Sequence, residues 1–173
     1  MSAPFGIEIF SHKESLQIES DYGGEKYAVK APRPHPSFEN YITQVSDTFG
    51  VVWVKALAPP TSIDAYGNSL RTAVDKIAEQ VNLKYGSPEK TDFLLHGAMW
   101  DEPQYWMNAL QEGQRYYSYV WKRPQNQLEQ DLESIFVGAA AFGGGQGGVI
   151  IEYASTRMAD HEKEIETKLA DLF

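Results

Sequence analysis

Cysteine is absent from the 173 residues of this chain, and its absence excludes several kinds of chemistry. Without a thiol the protein has no disulfide, no thiolate nucleophile and no cysteine-ligated zinc or iron–sulfur centre. Histidine is scarce as well, with four residues in all, and none stands in an HxH or HExxH spacing. The sequence therefore predicts no metal site, and we expect no cofactor.

Long hydrophobic runs are also missing. The purest apolar run covers residues 135–142, which is far too short for a bilayer and is rich in glycine and alanine. The first residues lack the basic and apolar regions of a secretory signal. We therefore expect a soluble cytoplasmic protein that does not bind a membrane.

Basic residues are in deficit. The chain has 15 Lys and Arg against 24 Asp and Glu, which gives a net charge of −9. A balance of this size disfavours nucleic acid as a partner and would suit a basic protein, although many soluble proteins are acidic without such a partner. The length and the 42% hydrophobic content suit one globular domain, residues 1–173.

The pattern of apolar and turn-forming residues predicts an α+β fold with a mainly antiparallel sheet. We expect an N-terminal hairpin and a C-terminal meander, with two longer helices on one face and a short helix at an edge. The predicted strands are Pro4–Phe10, Lys26–Lys30, the hairpin at 40–57 and the meander at 115–155. The predicted helices are 64–85, 102–110 and 157–171.

Each longer helix carries an apolar stripe for the core. In the first, Ser62 or Asp64 is the expected N-terminal cap, and Gly86 is the expected stop. In the last helix the stripe is Met158, Ile165, Leu169 and Leu172.

A glycine-rich run, GGGQGG at 143–148, resembles a phosphate-binding loop only in composition. Such a loop leads into a helix and usually carries Lys followed by Ser or Thr, whereas this run leads into the strand-forming VIIEYAS. We predict a mobile hairpin loop instead.

The stretch Asp92–Leu110 is the densest mixture of aromatic, apolar and ionisable residues. Residues 93–95 are predicted to form a short buried strand or helical turn, which Gly97 ends. Asp101 is the expected cap of the short helix, with Pro103 in its first turn. The run FLLHGAMWDEP followed by YWMNAL is of the kind that marks an uncharacterised bacterial family, and no activity attaches to it.

Within this stretch, His96 with Asp101 or Glu102 is the best candidate for acid–base chemistry. Imidazole exchanges protons near neutral pH, and a carboxylate can orient it or raise its pKa. The alternative is a structural histidine beside a helix cap, which we favour because no second histidine or nucleophile stands at a recognisable spacing.

Three further residues are weak candidates for ligand binding: Trp100 and Trp106, which could line a pocket, and His35, which two flanking prolines stiffen. The more ordinary interpretation is that Trp106 packs in the core and that His35 is an exposed loop residue. Trp100 has no such structural explanation.

These patterns leave two classes of function. The first is a non-enzymatic binding or interaction domain directed at a protein partner, for example an inhibitor or immunity-type protein. The second is a small hydrolase- or isomerase-like enzyme that uses His96 with Asp101 or Glu102. We expect the first.

Overall fold

The computed structural model describes all 173 residues, Met1–Phe173, and has an α+β fold. Nine strands form an antiparallel sheet, β1-β2-β3-β4-β9-β8-β7-β6, with the two-residue β5 paired to β9. The strands are β1 Ile18–Gly23, β2 Lys26–Val29, β3 Asn40–Ser46, β4 Gly50–Leu57, β5 Thr61–Ser62, β6 Glu89–Leu94, β7 Arg115–Lys122, β8 Leu132–Gly143 and β9 Gln146–Ser155. The helices are α1 Asn68–Tyr85, α2 Trp106–Gln111 and α3 Met158–Ala170. None of these helices combines the length and the apolar character needed to cross a membrane.

The chain forms two compact units. The first comprises Met1–Ala56, Leu128–Ser134 and Glu152–Phe173. The second comprises Leu57–Gln127 and Ile135–Ile151. Both β8 and β9 contribute residues to each unit. The prediction of a single domain over 1–173 stays a prediction.

In the first unit, the predicted strand over Pro4–Phe10 is wrong. Residues Pro4–Gly6 form a 3₁₀ turn, and Phe5 and Phe10 both have positive φ angles. Two tight turns, rather than a pleat, bury Ile7 and Ile9. The alternation of apolar residues was real, but the backbone is not extended. The sequence also missed β1, because all of its residues are exposed and carry no apolar pattern.

The hairpin predicted at 40–57 is confirmed as β3 and β4. The last helix is confirmed as α3, but its predicted stripe is only partly right, because Leu169 and Leu172 are exposed. The buried residue of α3 is His161, which the predicted apolar stripe does not include. Its Nε2 lies 3.1 Å from Oε2 of Glu25 in the β1–β2 turn.

In the second unit, α1 packs on β7 through a partly buried polar cluster. Oδ1 of Asp75 accepts hydrogen bonds from the hydroxyls of Tyr117 (2.6 Å) and Tyr119 (2.7 Å). Burial and the Asp75 carboxylate raise the pKa of Tyr117, so its hydroxyl remains a donor. At the end of α1, the Trp121 indole donates to the Gly86 carbonyl at 2.8 Å. These bonds fix the helix along the strand.

The glycine-rich run joins β8 to β9 as a hairpin, in agreement with the sequence. Both strands extend into it, so only Gly144 and Gly145 form the turn. The loop is therefore shorter than the six-residue run suggested. Residues 93–95 also differ from expectation. Phe93 and Leu94 end β6 and Leu95 follows it, but Phe93 and Leu95 are exposed rather than buried.

The start of α1 yields a testable prediction. Asp64 accepts hydrogen bonds from the amides of Asn68 and Ser69, both at 3.0 Å, as a capping carboxylate does. The Ser69 amide is the main reason why the pKa of Asp64 falls from 3.8 to about 2. We expect Asp64→Ala to lower the free energy of unfolding by about 1 kcal/mol near neutral pH, measured by urea denaturation.

The lowered pKa of Asp64 also predicts that the free energy of unfolding depends on pH. Because its pKa is lower in the folded than in the unfolded chain, its stabilisation is present above pH 3.8 and is lost as the pH falls toward 2. Asp64→Asn keeps an acceptor oxygen but cannot titrate, so it should lose less stability over that interval. An equal loss in the Asn variant would assign the acid sensitivity to other groups.

Candidate functional site

A cavity of about 210 Å³ in the second unit brings together four of the six candidate residues. Trp100, Asp101, Glu102 and Trp106 line it, whereas His96 and His35 do not. This cavity is the candidate functional site. It lies between the start of α1, the segment before α2 and the facing ends of β6 and β7.

Trp106 forms the base of the site. It is the first residue of α2 and is only 5% exposed. Its ring meets Tyr117 of β7 edge to face, with ring centres 6.3 Å apart. On another side it lies against Gly67, where any Cβ would overlap the benzene part of the indole. Gly67 also has a φ of +70°, which suits glycine for a second reason.

Two arginines flank the Trp106 ring. The guanidinium carbons of Arg71 and Arg115 lie 5.2 Å and 5.9 Å from the ring centre, within the range of cation–π attraction. Arg115 forms an ion pair with Asp92. Arg71 instead donates to neutral oxygens, the Tyr66 carbonyl (3.0 Å) and the Asn68 amide (2.8 Å). The positive charge of Arg71 therefore has no carboxylate in contact.

Two donors in this group are buried without an acceptor: the indole Nε1 of Trp106 and Nε of Arg115. Folded proteins rarely leave buried donors unpaired, because each one loses its hydrogen bonds to water. The hydrogen-bonding capacity of the site is therefore not fully used within the chain.

The mouth of the cavity carries negative charge. Asp101 and Glu102 are both exposed, and Glu102 accepts a hydrogen bond from the Gln104 side chain. Asp101 caps no helix, so its predicted role as N-cap is wrong. Glu102 stands at the N-cap position of the following 3₁₀ turn and Tyr105 at that of α2, and neither side chain forms a cap hydrogen bond. A 3₁₀ turn, Pro103–Tyr105, intervenes before α2, and Pro103 begins that turn as its missing N–H allows.

Exposed apolar side chains cluster in the segment that approaches the cavity. Large hydrophobic residues are exposed at Phe93, Leu95, Met99 and Tyr105, with Met99 77% exposed. Trp100 is half-buried and packs against Tyr105, with ring centres 5.1 Å apart. The short stretch from Phe93 to Tyr105 thus leaves four large apolar side chains accessible to solvent.

His96 is not part of this arrangement. It is exposed, in a turn closed by the bond from the Ala98 amide to the Leu95 carbonyl at 3.1 Å. It forms no hydrogen bond or ion pair with Asp101 or Glu102. The structure therefore does not assemble the predicted acid–base group.

His35 belongs to the first unit and has local contacts there. Its Nδ1 accepts a hydrogen bond from the Ser37 amide at 3.1 Å, and its own amide donates to the Tyr41 hydroxyl at 2.9 Å. The ring also packs near Phe38, 5.5 Å between centres. These contacts order a proline-rich loop and account for the residue without a ligand.

The sequence missed Arg71 and Arg115 as site residues. Arg115 only begins the predicted meander at 115–155, and no motif marks Arg71. One signal could have found Arg71: it lies one turn after Gly67, at the start of α1, where a long side chain can fold back over that end of the helix. A second, larger cavity of about 440 Å³ lies in the first unit, between residues 6–17 and 30–32, and no sequence pattern indicates it.

Comparisons with other proteins give no information about this site. No family model matches the chain, and searches of curated proteins and of solved structures find no match either.

The contact between Gly67 and Trp106 gives a testable prediction. Gly67→Ala should lower the free energy of unfolding by roughly 2–4 kcal/mol, because it adds a left-handed backbone penalty to an overlap with the indole. Gly97→Ala is the matched control: Gly97 has a similar φ, +76°, but open space around it. Its cost should be about 1–2 kcal/mol. Chemical denaturation measures the free energy of unfolding of both variants. Equal losses would show that the Trp106 side chain moves aside without a penalty.

Proposed function

We propose that this chain is a non-enzymatic binding domain that holds a protein partner at the Trp106 cavity. The observation that carries the proposal is the set of residue types around one concave site. Trp100, Trp106, Tyr66, Arg71 and Arg115 line the cavity, and Trp, Tyr and Arg are the residues that most often dominate the binding energy of protein interfaces.

The size of the cavity supports a partner side chain as its occupant. A volume of about 210 Å³ lies below the several hundred Å³ typical of sites for cofactors and drug-sized ligands. An apolar or aromatic side chain of the partner would pack on the rings of Trp100 and Trp106. An acceptor oxygen beside that side chain would supply what the buried donors of Trp106 and Arg115 lack. The exposed residues Leu95 and Met99 then supply apolar surface around the inserted group.

Charge supports a basic partner. Asp101 and Glu102 stand exposed at the mouth, and the whole chain carries a net charge of −9. Such a field accelerates the approach of a positively charged protein and places its basic residues beside the inserted side chain. A cytoplasmic location, expected from the sequence, is part of this proposal.

The enzymatic alternative is less well supported. The residues that line the cavity include no histidine, serine, threonine or lysine. His96, on which that alternative depends, lies outside the cavity and apart from both carboxylates. An acid–base mechanism needs the proton-transfer group within hydrogen-bond reach of its substrate and its orienting partner.

A peptide-display screen tests the proposal. The probe is a random peptide library, selected on the unaltered protein and then measured on Trp100→Ala. Leu83→Ala is the control, since Leu83 is 90% exposed on α1 and does not line the cavity. We expect selected peptides to share an aromatic or aliphatic residue near Lys or Arg, and to bind Trp100→Ala roughly tenfold more weakly.

Binding to Leu83→Ala should be unchanged. Two results would count against the proposal: a selection that enriches no peptide, or peptides that bind Trp100→Ala and the unaltered protein equally well. Circular dichroism of each variant checks that the fold is retained.

A further inference from the structure

We propose that strand β6 pairs with β6 of a second copy of this chain, antiparallel, with Thr91 on the two-fold axis. In this arrangement each Lys90 lies opposite Asp92 of the other copy. The inference does not depend on the proposed function, because it uses the edge of the sheet and not the cavity.

The edge at β6 is open and regular. β6 is the last strand of the sheet and pairs only with β7, through six consecutive residue pairs from Glu89–Val120 to Leu94–Arg115 without irregularity. The strand at the opposite end of the order, β1, has two register shifts in its pairing with β2. Bulges of this kind protect an edge from further pairing, and β6 has none.

The hydrogen bonds to β7 determine which backbone groups of β6 are available. The Leu95 amide donates to the Gln114 carbonyl at 2.8 Å, in line with the register of the two strands. In an antiparallel ladder, bonded and non-bonded residues alternate. Glu89, Thr91 and Phe93 therefore bond β7, and the N–H and C=O groups of Lys90, Asp92 and Leu94 point outward.

This parity restricts the possible registers of a symmetric pair. The outward residues of the two strands must oppose one another. The two-fold axis therefore lies midway between the two copies of a single residue, which face each other across it. An axis through Lys90 sets two ammonium groups together, and an axis through Asp92 sets two carboxylates together, both unfavourable. An axis through Phe93 sets Asp92 opposite Leu94 and forms no pair of opposite charges. An axis through Thr91 instead places Lys90 opposite Asp92 twice, and each such pair exchanges two backbone hydrogen bonds.

The side chains are placed to form these pairs. Lys90 and Asp92 oppose Tyr119 and Tyr117 of β7, so both lie on one face of the sheet. Lys90 extends over those two rings, 5.4 Å and 4.9 Å from their centres. Asp92 uses Oδ1 for Arg115, which leaves Oδ2 for a lysine from the other copy.

The opposite face adds an apolar contribution. There Phe93 stacks on Tyr116 with ring centres 6.4 Å apart, and the two residues are 50% and 46% exposed. In the paired strand Phe93 faces Glu89 of the second copy, whose methylene groups cover part of the ring. Because a single strand pair buries little area, we expect a reversible dimer.

Charge exchange tests the pairing. Sedimentation velocity up to roughly 100 µM should show the unaltered protein in monomer–dimer equilibrium. Lys90→Asp and Asp92→Lys each set like charges opposite one another twice, and each should weaken self-association by roughly tenfold or more. Lys76→Asp is the control for Lys90→Asp, because it makes the same change in net charge on an exposed position of α1. It should associate like the unaltered protein.

Mixing the two single variants distinguishes pairing from damage to the fold. One variant then carries two carboxylates and the other two ammonium groups, so both cross-strand pairs become attractive again. We expect a heterodimer in the mixture, and a homodimer for the double variant K90D/D92K. A monomeric unaltered protein, single variants that dimerise normally, or a mixture that stays monomeric would each overturn the proposal.

Discussion

The second unit depends on how closely Trp106 approaches the backbone at Gly67. The indole fits there only because position 67 has no Cβ, and the same glycine supplies the positive φ that turns the chain into α1. From that position Trp106 meets Tyr117 of β7 and lies between Arg71 and Arg115. One steric constraint therefore links the start of two helices, a strand and both arginines of the candidate site.

Hydrogen bonds at the start and in the middle of α1 fix the position of this helix. Asp64 holds the amides at the start of the helix, and Asp75 receives two tyrosine hydroxyls from β7 in its middle. A carboxylate that accepts several hydrogen bonds is satisfied without a counter-ion, which is why α1 needs no ion pair at these points. Arg71 is carried on this fixed helix, so its guanidinium is presented to the cavity rather than to solvent at random.

Two surface features of the same unit support the proposal that this chain is an interaction protein. Apolar residues that could have been buried are exposed from Phe93 to Tyr105, beside a concave site rich in Trp and Arg. The edge strand β6 carries alternating charges and no bulge, whereas β1 is irregular at both ends of its pairing. Protein surfaces normally avoid such regular edges and exposed apolar clusters unless they are used.

The sequence by itself determined the fold class and most elements, because local patterns carry that information. The alternation in β3, β4 and β7 and the stripe of α1 identified them, and Asp64 and Gly86 marked the ends of α1. It also selected Trp100, Asp101, Glu102 and Trp106, which the fold brings to one cavity.

Only the tertiary structure decided the rest. Arg71 and Arg115 are 44 positions apart, and no local pattern reports that both flank one ring. His96 is adjacent to this group in sequence but exposed, because Gly97 turns the chain there. The segment Pro4–Phe10 alternates like a strand, yet its burial comes from turns, and periodicity alone cannot distinguish the two.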